Sequence, residues 1–127
     1  MQISHATDIG LRTLIVLAGR DTELITVAQL AIELDVPVRY LGKIVQKLNA
    51  LGWVATTRGR GGGLHILPAG RQVSVAAVIG AFEENRIAVN CSEPLCPLVA
   101  QCRLQKMLVQ ADRDFLKSME SVRIEDL

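Results

Sequence analysis

Between Thr26 and Gly52 two short helical patterns stand almost end to end, and that spacing restricts the fold more than any other feature of the chain. The first pattern opens on TVAQ, where Thr26 and Gln29 form a T-x-x-Q capping box ahead of LAIEL. The second opens at Pro37, a residue suited to the first helical position. It carries an apolar stripe of Val38, Leu41, Val45 and Leu48 before Gly52 closes it. Only Leu34 to Val36 separate the two. Two helices joined by so tight a turn predict a helix-turn-helix.

The residues after Gly52 extend that unit. Trp53 to Thr57 and Leu64 to Leu67 read as two short strands, and RGRGGG between them is a turn that needs glycine backbone. A strand pair directly after a helix-turn-helix is a wing. Its glycines let the tip approach another backbone, and Arg58 and Arg60 give it affinity for phosphate. Upstream, Leu11, Leu14, Ile15 and Ala18 predict a helix over Asp8 to Ala18, with Thr7 as its cap, Asp8 in the first turn and Gly19 at its end. Downstream, Val73 to Phe82 predicts a fourth helix capped by Ser74, with Val73 and Val78 placed as a hydrophobic staple.

A last helix is expected from about Leu98 to Met119, striped by Leu104, Met107, Leu108, Ala111, Phe115 and Met119. A small domain does not need another helix of that length for its own core, so the stripe predicts packing against a second copy of the chain. The fold expected is mainly α with a small β wing: a winged helix-turn-helix over residues 1–82, then a cysteine loop and dimerisation helix over 83–127.

Composition sets the frame for function. With 127 residues, 50% of them hydrophobic and only 3% aromatic, the chain suits one domain whose core is Leu, Ile, Val and Ala. It has no apolar run of about 18 residues, and its N-terminus lacks a basic region and cleavage site. The expectation is therefore no membrane span and a cytoplasmic location. The net charge is only +1, but its distribution is uneven. No Asp or Glu occurs from Val36 to Phe82, while Arg39, Lys43, Lys47, Arg58, Arg60 and Arg71 all fall there. Such a span reads as a polyanion-binding surface.

On the second helix of the pair, the apolar stripe leaves Arg39, Tyr40, Lys43 and Lys47 on the other face. The N-terminal residues of a recognition helix meet base edges in the major groove. Arg39 suits guanine, Lys43 base or phosphate, and Tyr40 a phosphate or a thymine methyl. Arg58 and Arg60 would enter a flanking minor groove, and Thr26 and Gln29 would meet phosphates. No nucleophile–base pair is evident, so the sequence does not point to an enzyme.

All three cysteines lie in CSEPLCPLVAQC, spaced C-x4-C-x5-C. Disulfides need pairs, and tetrahedral metal sites and cubane clusters need four ligands. The tight C-x2-C knuckles of structural zinc are missing, and a thiol switch would need only two of the three. On spacing alone an iron–sulfur cluster stands first, then zinc, then bare thiols. His5, His65, Glu93 and Asp8 remain as candidate fourth ligands, with helix capping the ordinary reading of Asp8.

The segments TDIGLRTLIVLA and VPVRYLGKIVQKLNALGWV, the wing RGRGGG, and the three cysteines with CRL after the last together resemble a known family over essentially the whole chain. It is the family of bacterial winged-helix repressors that includes IscR, NsrR and RirA. The C-x4-C-x5-C spacing and Asp8 are most similar to the nitric-oxide-sensing, NsrR-type members. IscR-like members place a histidine three residues after the third cysteine, where this chain has Gln105, and this departs from an IscR-like [2Fe-2S] site. The resemblance implies a homodimeric repressor on a double-stranded DNA operator. It implies a [4Fe-4S] cluster (alternatively [2Fe-2S]) held by Cys91, Cys96, Cys102 and Asp8 of the other subunit, with nitric oxide as signal. Arg12, one turn beyond Asp8, would hold that carboxylate in place.

Overall fold

The computed structural model describes residues 2–20, 22–83 and 89–127. The elements run α1 (His5–Ala18), α2 (Val27–Glu33), α3 (Val38–Ala50), β1 (Val54–Thr57), β2 (Gly63–Ile66), α4 (Pro68–Gln72), α5 (Val75–Phe82) and α6 (Leu104–Lys117), closing on a 3-10 turn over Ile124–Asp126. This is the expected architecture: mainly helical, with one two-stranded antiparallel sheet as the wing.

The pair α2–α3 forms because each helix is started and stopped by local chemistry. Thr26 accepts from the backbone of Gln29 at 3.1 Å, and the Gln29 amide oxygen accepts from the backbone of Thr26 at 3.0 Å. This is the predicted reciprocal box. At the other end of α2, Asp35 adopts φ 54°. Val36 then donates back to Ala31 at 3.0 Å and Asp35 to Ile32 at 3.2 Å. Those two bonds make a Schellman motif with an aspartate in the left-handed position. Helix α3 ends the same way: Gly52 has φ 74°, Trp53 donates to Leu48 and Gly52 to Asn49.

In the wing, Val54 pairs with Ile66, Ala55 with His65, Thr56 with Leu64 and Thr57 with Gly63. The strands sit one residue from the expected limits. Gly59 and Gly61 at the tip have φ 97° and 71°, a region that side chains rarely adopt. Ile25 adds an isolated bridge to Leu64, which the sequence did not signal. The unexpected short helix α4 occupies part of the link between wing and α5.

Three expectations are corrected. Thr7 does not cap α1: the helix begins at His5, with Ser4 as its cap. Thr7 is instead fully buried, and its hydroxyl donates to the Glu83 carboxylate. Val38 is not in the buried stripe of α3. It overhangs the turn at 48% exposure, and Ile44 takes the fourth buried place beside Leu41, Val45 and Leu48. The last helix is shorter than expected. The segment from Cys96 to Cys102 winds as turns, with Val99 donating to Cys96 and Gln101 to Leu98, and α6 starts only after Arg103.

The core gathers Leu14, Leu17, Leu30, Leu41, Leu48, Val54, Leu64 and Val78. Ile124 joins it, because Ile124 donates to Val73 and Val75 donates to Val122, which tie the C-terminal turn back to the start of α5. Helix α6 is thus anchored at its C-terminal end and has no buried residue of its own. Residues 84–88, at the start of the second expected segment, lie outside the described residues. No described helix is long and apolar enough to cross a membrane.

Candidate nucleic-acid interface and cysteine centre

On α3, Arg39 and Lys43 are exposed. Gln46, which sequence reasoning passed over, is also exposed. It stands three residues after Lys43 and seven after Arg39, hence on the same face. Its spacing was the available signal, and its lack of charge hid it. Arg58 and Arg60 are exposed at the wing tip, and Thr26 is exposed at the start of α2, with Gln29 beside it in the capping box.

The remaining two expected DNA contacts are engaged by other elements. The Tyr40 ring stacks on His5 of α1, with ring centroids 5.3 Å apart and planes 13° from parallel. The Lys47 ammonium lies 4.9 Å from the centroid of the Phe82 ring, a cation–π contact between α3 and α5. Arg39, Lys43 and Gln46 therefore form the outward face of α3. Tyr40 and Lys47 form its flank against α1 and α5.

The first turn of α1 collects the rest. Asp8 and Arg12 pair at 2.8 Å through Nε, as the spacing predicted. The arginine is more than half exposed and the aspartate about a third. Such a surface pair is worth only about 0.3–0.5 kcal/mol. It orients the carboxylate without locking it. Just beneath, Glu83 at the end of α5 accepts from the Ser4 backbone at 2.7 Å and from the Thr7 hydroxyl. No local pattern announces this tie, which is a tertiary contact between chain segments far apart in sequence.

Cys91, Cys96 and Cys102 are all free and half-buried. The backbone of Cys96 donates to Cys91 at 3.0 Å. Asn90 shapes the turn between them, its side chain accepting from Ser92 at 3.0 Å and Glu93 at 3.1 Å. This Asx turn is a second feature the sequence reading missed. Three unpaired soft thiols in one loop suit an iron–sulfur cluster in donor chemistry. Within one chain the donors do not converge: among the described residues no three His, Cys, Asp or Glu side chains are grouped to hold a metal ion. Of the two histidines, His5 stacks on Tyr40 in the first turn of α1, and His65 lies on β2 opposite Ala55.

A capped helix-turn-helix, a glycine-tipped wing and a basic outward face on the second helix define a winged-helix, DNA-binding transcriptional regulator rather than an enzyme. The particular family is given by comparison. The family description Rrf2, iron-dependent transcriptional regulator, matches residues 3–127, and the chain belongs to that family. Among solved structures, the oxidized form of Staphylococcus aureus CymR is similar with a TM-score of 0.76 at 22% identity, covering 99% of this chain and 94% of that one. CymR of B. subtilis, described as the global cysteine regulator, gives 0.73 at 24% identity over 99% and 95%. T. potens IscR gives 0.74 at 16% identity over 99% and 85%. At these identities the likeness establishes the fold.

Proposed function

We propose that two copies of this chain form a repressor dimer that binds a palindromic operator in the cytoplasm while it carries a [4Fe-4S] cluster, and that nitric oxide releases it. The outward face of α3 would enter the major groove and Arg58 and Arg60 a flanking minor groove. The cluster would be held by Cys91, Cys96 and Cys102, with Asp8 of the other subunit as fourth ligand. The iron-dependent character of the family supports an iron-linked role, and the thiol loop suits it in donor chemistry.

The observation that carries the reading is the junction at the first turn of α1. When bound, the cluster supplies an iron that a carboxylate holds less firmly than a thiolate would, and so a site open to nitric oxide. The chain's own residues do the rest. Asp8 has a ready alternative partner in Arg12. His5, three residues away on the same turn, stacks on Tyr40 of the recognition helix. A change at Asp8 thus reaches α3 through one ring contact. The Thr7–Glu83 tie makes the same turn move with the end of α5. Half-sites on a duplex lie about 34–36 Å apart, so a small rotation of each α3 spoils the fit of both.

The exposed N-terminal half of the α6 stripe supports the dimer. Leu104 and Met107 are more than half exposed, and α6 has no buried residue. The test is anaerobic reconstitution followed by titration with nitric oxide, with operator binding as readout. Tight binding by the iron-loaded dimer, lost as nitric oxide is added, is the expected result. A dimer that takes only zinc, or binding indifferent to nitric oxide, would exclude the sensing mechanism.

A further inference from the structure

The start of α3 holds an apolar surface that neither the core nor the basic face accounts for. Val38, its first residue, is 48% exposed, and Ile32 of α2 is 82% exposed. With Ala31, Val36 and Pro37 they line a hollow at the helix-turn-helix turn. Asp35 is the only charged residue in that lining. Single exposed apolar side chains are ordinary on any surface. This one stands at the position where a recognition helix meets base edges, directly beside Arg39.

We infer that Val38 reads the 5-methyl group of a thymine in the major groove. The inference rests on the DNA-binding reading and names a specificity-determining contact within it. The physical argument is a match of types. The thymine methyl is the only apolar group that a base pair presents in the major groove, and it is recognised by apolar contact. Val38 is the exposed apolar side chain on the N-terminal turn of α3, between the hollow and the basic face formed by Arg39, Lys43 and Gln46. Asp35 sharpens the choice of occupant. A carboxylate at the edge of the hollow repels a phosphate, so a base edge rather than the sugar–phosphate backbone suits this corner of the interface. The acid-free span that starts at Val36 draws the duplex to the same face.

The experiment replaces thymines of the operator by deoxyuridine, one at a time, which removes the methyl and keeps base pairing. Full-length protein, purified anaerobically, is measured against an operator it selects from random duplexes. One position in each half-site should lose about fourfold in affinity on removal of its methyl, the factor that corresponds to burying one such group. Val38→Ala should lose about as much on the intact operator and show no further loss with deoxyuridine at that position. Ile32→Ala, on the neighbouring helix, should keep the full methyl dependence. Additive losses from Val38→Ala and deoxyuridine, or no sensitive position at all, would overturn the inference while leaving the DNA reading standing. Absence of any salt-dependent duplex binding would overturn both.

Discussion

The winged-helix body and the arm that carries the cysteines are built on opposite terms. In the body, Leu14, Leu30, Leu41, Leu48, Val54, Leu64 and Val78 are completely shielded from solvent. In the arm, α6 has no buried residue and Met107 is 67% exposed. The body closes its core with its own side chains and with Ile124 of the C-terminal turn. The arm has an amphipathic helix and three free thiols, and among the described residues no three His, Cys, Asp or Glu side chains are grouped to hold a metal ion. The difference separates what one chain folds alone, the reading surfaces, from the proposed sensing centre, which a second chain would complete.

Core truncation tests that division most strongly. Leu48→Ala should lower stability by about 3 kcal/mol, from the lost transfer energy and the cavity left behind. Met107→Asp should instead leave the circular dichroism of the chain unchanged and shift sedimentation from dimer to monomer. If Met107→Asp unfolds the body, α6 itself supports the core and the comparison fails. If the dimer survives, the apolar stripe of α6 is not its interface.

The wing tip comes next in size. Arg60→Ala should weaken operator binding by about 1–3 kcal/mol if the side chain reads a groove. A merely electrostatic role would show as a smaller loss, equal for all duplexes, with a shallower dependence on salt. Unchanged affinity in a binding assay would remove the wing from the interface.

Asp8 is the residue on which body and arm are proposed to meet. Asp8→Ala should still assemble a cluster on the three cysteines, but one lost roughly tenfold faster in air, the scale seen when a supporting ligand is removed. Anaerobic absorbance followed after exposure to air measures it. A cluster of ordinary lifetime would mean that the fourth ligand lies elsewhere.

The two regions were also unequally legible in the sequence. The helix-turn-helix could be read because its determinants are local: a Thr–Gln capping box, a glycine at residue 52, and spacing of apolar residues on α3. Even there Val38 and Ile44 exchanged places, because periodicity alone does not say where a helix overhangs its turn. The Schellman cap at Asp35 was hidden by a residue type that only occasionally takes the left-handed conformation. Contacts across the chain left no trace in local pattern. Thr7 reads as a cap and is bound to Glu83, and the contacts of Tyr40 with His5 and of Lys47 with Phe82 have no local signature either. In the arm the order of the cysteines was plain. The late start of α6 was not, since the turns before it succeed one another without forming a continuous helix.

The smallest expected effect separates packing from other demands within the body itself. A Cβ at Gly70 would lie 2.2 Å from the carbonyl oxygen of Trp53, so packing alone dictates that glycine. At Gly42, inside α3, a Cβ would meet no atom within 4 Å. Its backbone is helical, so alanine there removes conformational freedom from the unfolded chain without strain. Gly42→Ala should therefore raise stability by about 0.5–1 kcal/mol, measured by denaturant unfolding, while Gly70→Ala should lower it. A loss of stability at Gly42 would show that this half-exposed edge of the recognition helix is more tightly constrained than its open surroundings imply.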